Sequence, residues 1–317
     1  MSIFERFLQG DVRALARVIS RVEDQADGYQ RILGELYTRA GKSLRIGITG
    51  PPGAGKSTLV NRLVREFLTN SKRVGIIAVD PSSPFTGGAV LGDRVRMQDL
   101  PRDGSVFIRS MATRGASGGL ASATDNVAVV VDAFGFDYTV IETVGVGQIE
   151  LDIVDTCDVV VVVVVPESGD SVQTMKAGLM EIADIMVVNK ADRPGSDKLV
   201  GELSQMMDIN KHAAVGWRVP VFATEAPKGK NVDLLAVKIR EFIDVAKNSG
   251  TFEKHRRQRA GKKILNLLKS RFQHDFLNRV MGDTGFQKIV DDIVDGNANP
   301  FEVTERLYRE FHARQTI

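Results

Sequence analysis

The stretch from Gly50 to Thr58 has the residue types and spacing of a phosphate-binding loop. It reads Gly50-Pro51-Pro52-Gly53-Ala54-Gly55-Lys56-Ser57-Thr58 and matches the pattern G-x-x-x-x-G-K-[ST]. The glycines let successive backbone N–H groups turn towards a phosphate, and a helix N-terminus adds its positive dipole end. We expect Lys56 to reach the β- and γ-phosphates and Ser57 to give its hydroxyl to Mg²⁺. The alternative interpretation is a chance glycine turn.

The segments on either side of this loop favour the phosphate-binding interpretation. Residues 44–49 contain apolar Ile46 and Ile48 and predict a buried strand, whereas residues 59–64 have apolar side chains at helical spacing. A strand, a glycine-rich turn and a helix form the context that the motif requires.

A second motif, Asn189-Lys190-Ala191-Asp192, follows a predicted strand farther along the chain. The carboxylate of Asp192 can accept two hydrogen bonds from guanine, one from N1–H and one from the N2 amine. Adenine lacks this pair of donors, and a site built on such hydrogen bonds discriminates strongly. Downstream of a phosphate-binding loop, the motif therefore predicts a preference for GTP and GDP.

Three carboxylates are expected near Ser57 and the γ-phosphate. Asp80 and Glu142 end predicted strands, and Asp93 follows a glycine-rich loop. Mg²⁺ prefers oxygen ligands and keeps several waters, so one or two carboxylates suffice. We assign Asp93 or Glu142 to the metal shell, with some contacts through water, and Asp80 to the metal or to the attacking water. Lys56, Asp80 and Glu142 are the predicted catalytic residues.

Two loops, residues 81–96 and 143–149, are predicted switches that the γ-phosphate and Mg²⁺ would order. Gly145 is placed to sense the γ-phosphate through its backbone N–H. Gln148 is a candidate for positioning the attacking water, although it lies three residues after Gly145 rather than directly after it. Additional cations for phosphoryl transfer could come from several arginines, among which the sequence does not choose: Arg94, Arg96, Arg109 and Arg114.

Composition narrows the class of protein. The chain has 317 residues and a formal net charge of +2, which argues against a protein that mainly binds nucleic acid. Its single cysteine, Cys157, allows no internal disulfide and fits a reducing compartment. The longest apolar run, residues 159–165, is far shorter than the roughly 20 residues of a membrane span. We therefore expect a cytoplasmic protein without membrane or nucleic-acid partners.

The elements that position these residues alternate between strands and helices. Strands are predicted over residues 73–79, 138–141, 158–165, 185–188 and 219–223, and their continuous β-branched runs are typical of strands buried on both faces. The predicted fold is a doubly wound α/β domain with a mostly parallel sheet. Its predicted boundaries are 43–248, with a helical region at 1–42 and a C-terminal helical region at 249–317 whose apolar stripe could mediate dimerisation.

Several of these segments together resemble the methylmalonyl-CoA mutase-associated GTPase family, also labelled arginine/ornithine transport system kinases. The resemblance is dense over residues 44–245, and its narrow marks are V-D-P-S-S at 79–83 and E-T-V-G-V-G-Q at 142–148. It implies a GTPase chaperone of an adenosylcobalamin-dependent acyl-CoA mutase, which gates cofactor loading and helps to expel damaged cofactor. It further implies that Lys56, Asp80, Asp93 and Glu142 line the phosphate and Mg²⁺ site.

The resemblance also implies a further switch and a homodimer. The switch falls on residues 167–176, where Lys176 would couple the loop to nucleotide or client; the alternative is a surface lysine that opens a helix. The dimer would form through the C-terminal helices. The base-binding loop departs from the family's usual Ser-Ala, because this chain has Thr224-Glu225-Ala226-Pro227. Ala226 can still offer its backbone N–H to guanine, and residues 225–227 are predicted to contact the nucleotide.

Two other functions compete with this interpretation. A related GTPase could mature a nickel enzyme, although the four histidines and single cysteine lack ligand spacing. An ATP-dependent kinase or transport-system subunit would fit the older family label, but residues 189–192 favour guanine.

Overall fold

A seven-stranded parallel sheet lies at the centre of the first of two compact units. The computed structural model describes residues 1–80, 97, 99–101, 103–112, 119–143, 145, 152–166, 178–209, 216–281 and 285–313. The first unit covers residues 1–255 and the second covers residues 256–317. The strands, in chain order, are β1 Leu44–Thr49, β2 Val74–Asp80, β3 Val106–Ala112, β4 Tyr138–Glu142, β5 Val159–Val164, β6 Ile185–Asn189 and β7 Val221–Thr224.

The order of strands across the sheet is β3-β2-β4-β1-β5-β6-β7. This order places β1 between β4 and β5, with Ile48 beside Glu142 on one side and beside Val161 on the other. In a parallel sheet the carboxyl ends of all strands meet at one edge, where ligands of such folds bind. The ends of β1, β2, β4, β6 and β7 therefore converge on a common edge.

Helices cover both faces of the sheet. Their bounds in the first unit are α1 Ile3–Leu8, α2 Val12–Glu23, α3 Tyr29–Tyr37, α4 Lys56–Leu68, α5 Gly119–Ala133, α6 Ser196–Ile209 and α7 Val232–Asn248. One core contains apolar residues of α4 and α7, and the other contains residues of α5, α6 and the three N-terminal helices. The strand β5 shows why valine suits this position: Val161 belongs to one core and Val162 to the other.

The predicted α/β fold with helical segments at both ends is confirmed. The five predicted strands correspond to β2, β4, β5, β6 and β7, with boundary differences of at most two residues. The strand β3, which forms one edge of the sheet beside β2, was not predicted. Its stretch Val106-Phe107-Ile108 is only briefly apolar before Arg109 and Ser110 interrupt it. The predicted domain boundaries at residues 42 and 248 stay a proposal.

The N-terminal helices are part of the same compact unit as the sheet. The Phe7 ring packs edge-on against Phe134, with 5.1 Å between ring centroids. The carboxylate of Asp132 in α5 accepts hydrogen bonds from the backbone N–H groups of residues 41–43, directly before β1. Arg109 of β3 forms an ion pair with Glu23 of α2, with Nε 3.0 Å from Oε2. This ion pair gives Arg109 a structural partner rather than a place at the strand ends.

The second unit is helical. It contains most of α8 Thr251–Met281, together with α9 Gly285–Val294 and α10 Pro300–Ala313. Phe276 and Phe311 pack with 5.2 Å between their ring centroids, and Val303 is buried. Along α8, however, a row of apolar side chains is 46% to 61% exposed: Ile264, Leu265, Leu267, Leu268 and Phe272. Among the described helices of both units, none has the length and apolar character needed to cross a membrane.

Asp184, at the amino end of β6, gives the first unit a testable pH dependence. Burial raises the pKa of Asp184 to about 7, and the hydrogen bond from the Val160 N–H to Oδ2, at 2.8 Å, only partly offsets this effect. The folded protein therefore holds this proton more tightly than the unfolded chain, where the reference pKa is 3.8. Stability from this group is present at low pH and is lost as the pH rises from about 4 to about 7.

We expect Asp184→Asn to stabilise the protein more at pH 8 than at pH 5. Asparagine keeps an acceptor for the Val160 N–H and carries no charge to bury. The gain at pH 8 should be about 1–3 kcal/mol, a figure reduced for the partial exposure of the side chain. Urea unfolding at both pH values measures it, with the exposed Asp233→Asn as control. An equal gain at pH 5 and pH 8 would contradict the assignment.

Candidate functional site

The turn between β1 and α4 requires glycine at several positions. Gly50, Gly53 and Gly55 have φ values of 139°, 76° and 84°, which side chains rarely adopt. A Cβ on Gly50 would lie 1.9 Å from the carbonyl oxygen of Val163 in β5, and one on Gly55 would lie 2.5 Å from Nδ2 of Asn189. The loop therefore packs its backbone directly against the ends of β5 and β6, as the sequence motif predicts for a strand–turn–helix context.

Lys56, the first residue of α4, folds back over this loop. Its Nζ donates hydrogen bonds to the carbonyl oxygens of Gly50, at 2.8 Å, and Pro51, at 3.1 Å. The residue is only 6% exposed. The ammonium group is thus fixed beside the inner surface of the loop, at the N-terminus of a helix, where both the dipole and the lysine favour an anion.

Gly145 lies against the same loop. Its φ is 97°, and a Cβ there would be 2.5 Å from the Gly50 carbonyl oxygen and 2.7 Å from Lys56 Nζ. The backbone at Gly145 therefore approaches the loop so closely that only glycine fits at this position. This approach places the Gly145 backbone beside the lysine that is predicted to hold the phosphates.

Ser57 and Glu142 form a buried pair of oxygen groups beside the loop. Ser57 Oγ donates to Glu142 Oε1 at 2.7 Å, and the two residues are 5% and 3% exposed. β4 delivers Glu142 to the site because it lies beside Ile48 of β1 and Ala78 of β2 in the sheet register. Thr143, which follows, holds this strand end with an Oγ1 bond to Thr49 Oγ1 at 2.9 Å.

Several predicted site residues lie partly or wholly outside the described part of the chain. The backbone of Asp80 ends β2 at the same sheet edge as Glu142, whereas its side chain lies outside the description. Asp93, Gln148 and Lys176 lie outside the described residues, as do Arg94, Arg96 and Arg114. Their predicted roles in metal binding, water positioning and switching stay predictions.

Asn189, at the end of β6, joins the phosphate loop to the loop after β7. Its Nδ2 donates to the carbonyl oxygen of Ala54 at 2.8 Å. Its Oδ1 accepts from the hydroxyl of Thr224, at 3.1 Å, and from the backbone N–H of Ala226, at 3.2 Å. Asn189 is 1% exposed. It therefore fixes the relative positions of three loops, a role that the sequence analysis did not foresee.

The rest of the N-K-x-D segment turns away from β6. Lys190 has a φ of 57°, and the following turn is closed by a hydrogen bond from the Arg193 N–H to the Lys190 carbonyl oxygen at 3.0 Å. The Ala191 N–H donates to the Thr224 carbonyl oxygen at 3.0 Å, which joins this turn to β7. Asp192 is exposed at the edge of the sheet. The carboxylate predicted to bind guanine is therefore accessible from solvent.

The loop after β7 is held by charged groups that the sequence analysis did not connect. The carboxylate of Glu225 contacts Lys228 Nζ at 2.6 Å and Lys230 Nζ at 2.7 Å. The hydrogen bond from Lys228, and after it the one from Lys230, lowers the pKa of the Glu225 carboxyl. Arg62 of α4 donates from Nη2 to the carbonyl oxygen of Pro227 at 2.5 Å. In the sequence, Lys228 and Lys230 follow Glu225 by three and five positions, and this spacing was the only indication of the two contacts.

The arrangement can hold a nucleoside triphosphate. A glycine-rich turn with a lysine lies at the end of the central strand β1, and the N-K-x-D segment lies at the end of β6 on the same edge. A buried serine hydroxyl and a glutamate carboxylate lie beside the turn. Together the fold and the site define a P-loop nucleotide-binding protein.

Comparison with known proteins identifies the family within this class. The profile described as "Methylmalonyl Co-A mutase-associated GTPase MeaB" matches residues 12–281. A Pyrococcus abyssi protein is 44% identical over 310 residues, 97% of this chain and 95% of that protein. GTPase ArgK of Escherichia coli is 31% identical over 290 residues, 89% of this chain and 86% of that protein. The chain belongs to the methylmalonyl-CoA mutase-associated GTPase family, as its motifs predicted.

One solved structure supports the same fold. The crystal structure of an LAO/AO transport system kinase has a TM-score of 0.72 to this chain at 24% sequence identity, and covers 98% of this chain and 96% of that one. At this identity the likeness concerns the fold. As a member of a P-loop GTPase family, the chain binds GTP and GDP.

Proposed function

We propose that this protein is a GTP-hydrolysing chaperone that gates cofactor loading into an adenosylcobalamin-dependent acyl-CoA mutase and protects or reactivates that mutase. The family match over residues 12–281 carries the proposal, since the family is described by its association with methylmalonyl-CoA mutase. A nucleotide switch suits this task because GTP hydrolysis can order and release loops that contact a client. Residues 189–192 support guanine against the ATP-dependent alternative.

Mg²⁺ is part of the proposed site. Its residues fit the ion chemically, because a hydroxyl and a carboxylate oxygen lie 2.7 Å apart in Ser57 and Glu142 at the rim of the phosphate loop. Ser57 and Glu142 would hold the ion, with Asp80 and Asp93 as further proposed ligands. Bound there, Mg²⁺ would neutralise charge on the phosphates during transfer. Lys56 would bind the phosphates, and Asp80 would act on the metal or on the attacking water.

The proposed nucleotide contacts and switches follow the sequence motifs. Residues 50–58 would bind the phosphates, and Asn189, Lys190, Asp192 and residues 225–227 would form the base site. Gly145 supports a switch role because its backbone lies against the loop and Lys56. Gln148 and Lys176 complete the proposed switch residues.

A homodimer is proposed from the second unit. The exposed apolar row on α8 would lose solvent contact against the same row of a second copy, with a gain of about 25 cal/mol per Å² of apolar surface buried. A twofold contact of this kind is self-complementary. The cytoplasm is the proposed location, and we propose neither nucleic-acid nor membrane partners.

The decisive experiment measures phosphate release from GTP by the full chain, alone and with purified mutases. We expect an adenosylcobalamin-dependent methylmalonyl-CoA mutase to raise the rate at least about tenfold, equivalent to about 1.4 kcal/mol of barrier. An acyl-CoA enzyme without cobalamin and a nickel enzyme serve as controls. EDTA should abolish hydrolysis in every arm, and ATP should be hydrolysed far more slowly than GTP.

Each alternative predicts a different pattern in this experiment. Stimulation by the nickel enzyme alone would favour metallochaperone function. Equal hydrolysis of ATP and GTP would favour a kinase or transport role. Hydrolysis of GTP that no cobalamin mutase changes would refute the client assignment while leaving the GTPase assignment intact, and hydrolysis in EDTA would refute the Mg²⁺ site.

A further inference from the structure

Glu225 differs from an ordinary surface acid in its burial and in its two partners. It lies between β7 and a short 3₁₀ turn, Ala226–Lys228, and its side chain is 9% exposed. Lys228 contacts one carboxylate oxygen, Oε2, and Lys230 contacts the other, Oε1. The lysine side chains themselves are 71% and 63% exposed. A buried acceptor therefore fixes two long, flexible side chains that would otherwise move in solvent.

The backbone around Glu225 is held just as firmly. The Glu225 N–H donates to the Lys230 carbonyl oxygen at 3.3 Å, and the Lys228 N–H donates to the Glu225 carbonyl oxygen at 3.0 Å. The Ala226 N–H donates to Asn189 Oδ1 at 3.2 Å, which connects this loop to the segment that ends in Asp192. The direction taken by each lysine is therefore set relative to Asp192.

The turn that carries Asp192 lies beside the loop that carries Lys228, because the Ala191 N–H donates to the Thr224 carbonyl oxygen at 3.0 Å and the Ala226 N–H donates to Asn189 Oδ1 at 3.2 Å. The hydrogen bond and charge of Glu225 are the main causes that raise the pKa of Lys228, and the Asp192 carboxylate adds to the increase. If the negative charge of Glu225 were lost, Asp192 would be the neighbouring acid to which this ammonium could turn. An ammonium that hydrogen-bonds to the Asp192 carboxylate would occupy part of its acceptor capacity and would compete there with the N1–H and N2 amine of guanine.

We propose that Glu225 is a positioning residue for guanine specificity, which holds the Lys228 ammonium so that the Asp192 carboxylate stays available to the base. This inference rests on the proposed base contact of Asp192. It gives the acid that replaces the serine of the usual Ser-Ala a function in addition to the base contact proposed for residues 225–227: Glu225 acts on guanine binding through its lysine neighbour.

The test measures GDP affinity for the full chain and for a cycle of variants. Glu225→Gln removes the charge that holds Lys228 while keeping the side chain's size, and should weaken GDP binding about fivefold. Lys228→Gln alone should leave GDP affinity within about twofold of the parent. The double variant Glu225→Gln/Lys228→Gln should recover the parent affinity, because the competing ammonium is gone. Lys230→Gln in the Glu225→Gln background is the matched control and should not restore binding.

The cycle has outcomes that overturn the proposal. Additive losses without recovery in the double variant would mean that Glu225 acts only on loop stability. GDP binding that improves more than about threefold in Lys228→Gln alone would mean that Lys228 already competes for Asp192. If Glu225→Gln melts below the assay temperature, the cycle is repeated with Glu225→Asp, whose shorter acid should give a smaller loss and the same recovery; no recovery there overturns the proposal.

GDP affinity measured in parallel for Asp192→Asn distinguishes a failure of this inference from a failure of the proposed base contact on which it rests. Unchanged GDP binding in Asp192→Asn would remove the base contact, and the inference with it. Weakened binding in Asp192→Asn without recovery in the Glu225/Lys228 cycle would overturn the inference alone.

Discussion

Lys56→Ala is expected to reduce GTP binding by about 100-fold or more, and GDP binding by about tenfold or more because GDP lacks the γ-phosphate. The ammonium lies 2.8 Å from the Gly50 carbonyl oxygen and 3.1 Å from that of Pro51, on the inner side of the loop. Hydrogen bonds to charged groups contribute about 1.5–3 kcal/mol each, so losing two phosphate contacts gives an effect of this size. Alanine also removes a positive charge that attracts the phosphate together with the positive end of the helix dipole.

Titration of a fluorescent guanine nucleotide into the full chain measures this loss. Lys238→Ala is the matched control, because Lys238 also lies on a helix but is exposed and pairs only with Glu241 in the described structure. The control should bind as the parent does. Since Lys56 also tethers the loop through two carbonyl oxygens, a thermal melt must accompany the titration. A folded Lys56→Ala protein with GTP affinity within about threefold of the parent would contradict the phosphate assignment.

The parts of the site that the sequence predicted are those encoded by local spacing. Residues 50–58 form one turn, so their glycines and lysine are recognisable without knowledge of the rest of the chain. The strand that delivers Glu142 was also predictable, because residues 138–141 are apolar or β-branched. Continuous apolar runs of this kind also predicted the fold class, because they are typical of strands that are buried on both faces of a sheet.

The contacts that the sequence did not predict depend on residues far apart along the chain. Asn189 bonds to Ala54, 135 positions earlier, and to Ala226, 37 positions later. The spacing of an N-K-x-D motif does not indicate that its asparagine forms hydrogen bonds to two other loops. The edge strand β3 was missed for a related reason: Arg109 and Ser110 interrupt its apolar run, and the Arg109–Glu23 ion pair forms only once α2 packs beside it.

Long-range contacts connect the phosphate loop, residues 50–58, to the N-K-x-D segment, residues 189–192. Asn189 connects the phosphate loop to the base-binding segment, while Arg62 connects α4 to the carbonyl oxygen of Pro227. The segments that would bind the phosphates and the base are therefore already fixed relative to each other before a nucleotide binds. Preorganisation of this kind lowers the ordering cost of binding. It also explains why a change at Glu225, outside the phosphate loop, should be measurable as nucleotide affinity.

Asp192→Asn is expected to lower GTP affinity by about 100-fold or more while leaving phosphate-only contacts intact. The carboxylate would accept from both N1–H and the N2 amine of guanine, and an asparagine amide replaces one of these two acceptor oxygens with an NH₂ donor. Sites that depend on a matched set of hydrogen bonds reject mismatched partners by roughly 10⁴–10⁵-fold, so a loss of 100-fold is a conservative expectation. Asp192 is exposed, so the substitution leaves the core of the first unit undisturbed.

The measurement compares GTP, XTP and ATP binding to the parent and to Asp192→Asn. Xanthine carries a carbonyl at C2 in place of the amine, so an asparagine amide can donate to it and XTP should gain affinity as GTP loses it. Asp197→Asn, five positions later and also exposed, is the matched control and should change neither preference. A protein that keeps its GTP-over-ATP preference after Asp192→Asn would refute base recognition by this carboxylate, because the amide has lost the acceptor for one guanine donor and places a donor against it.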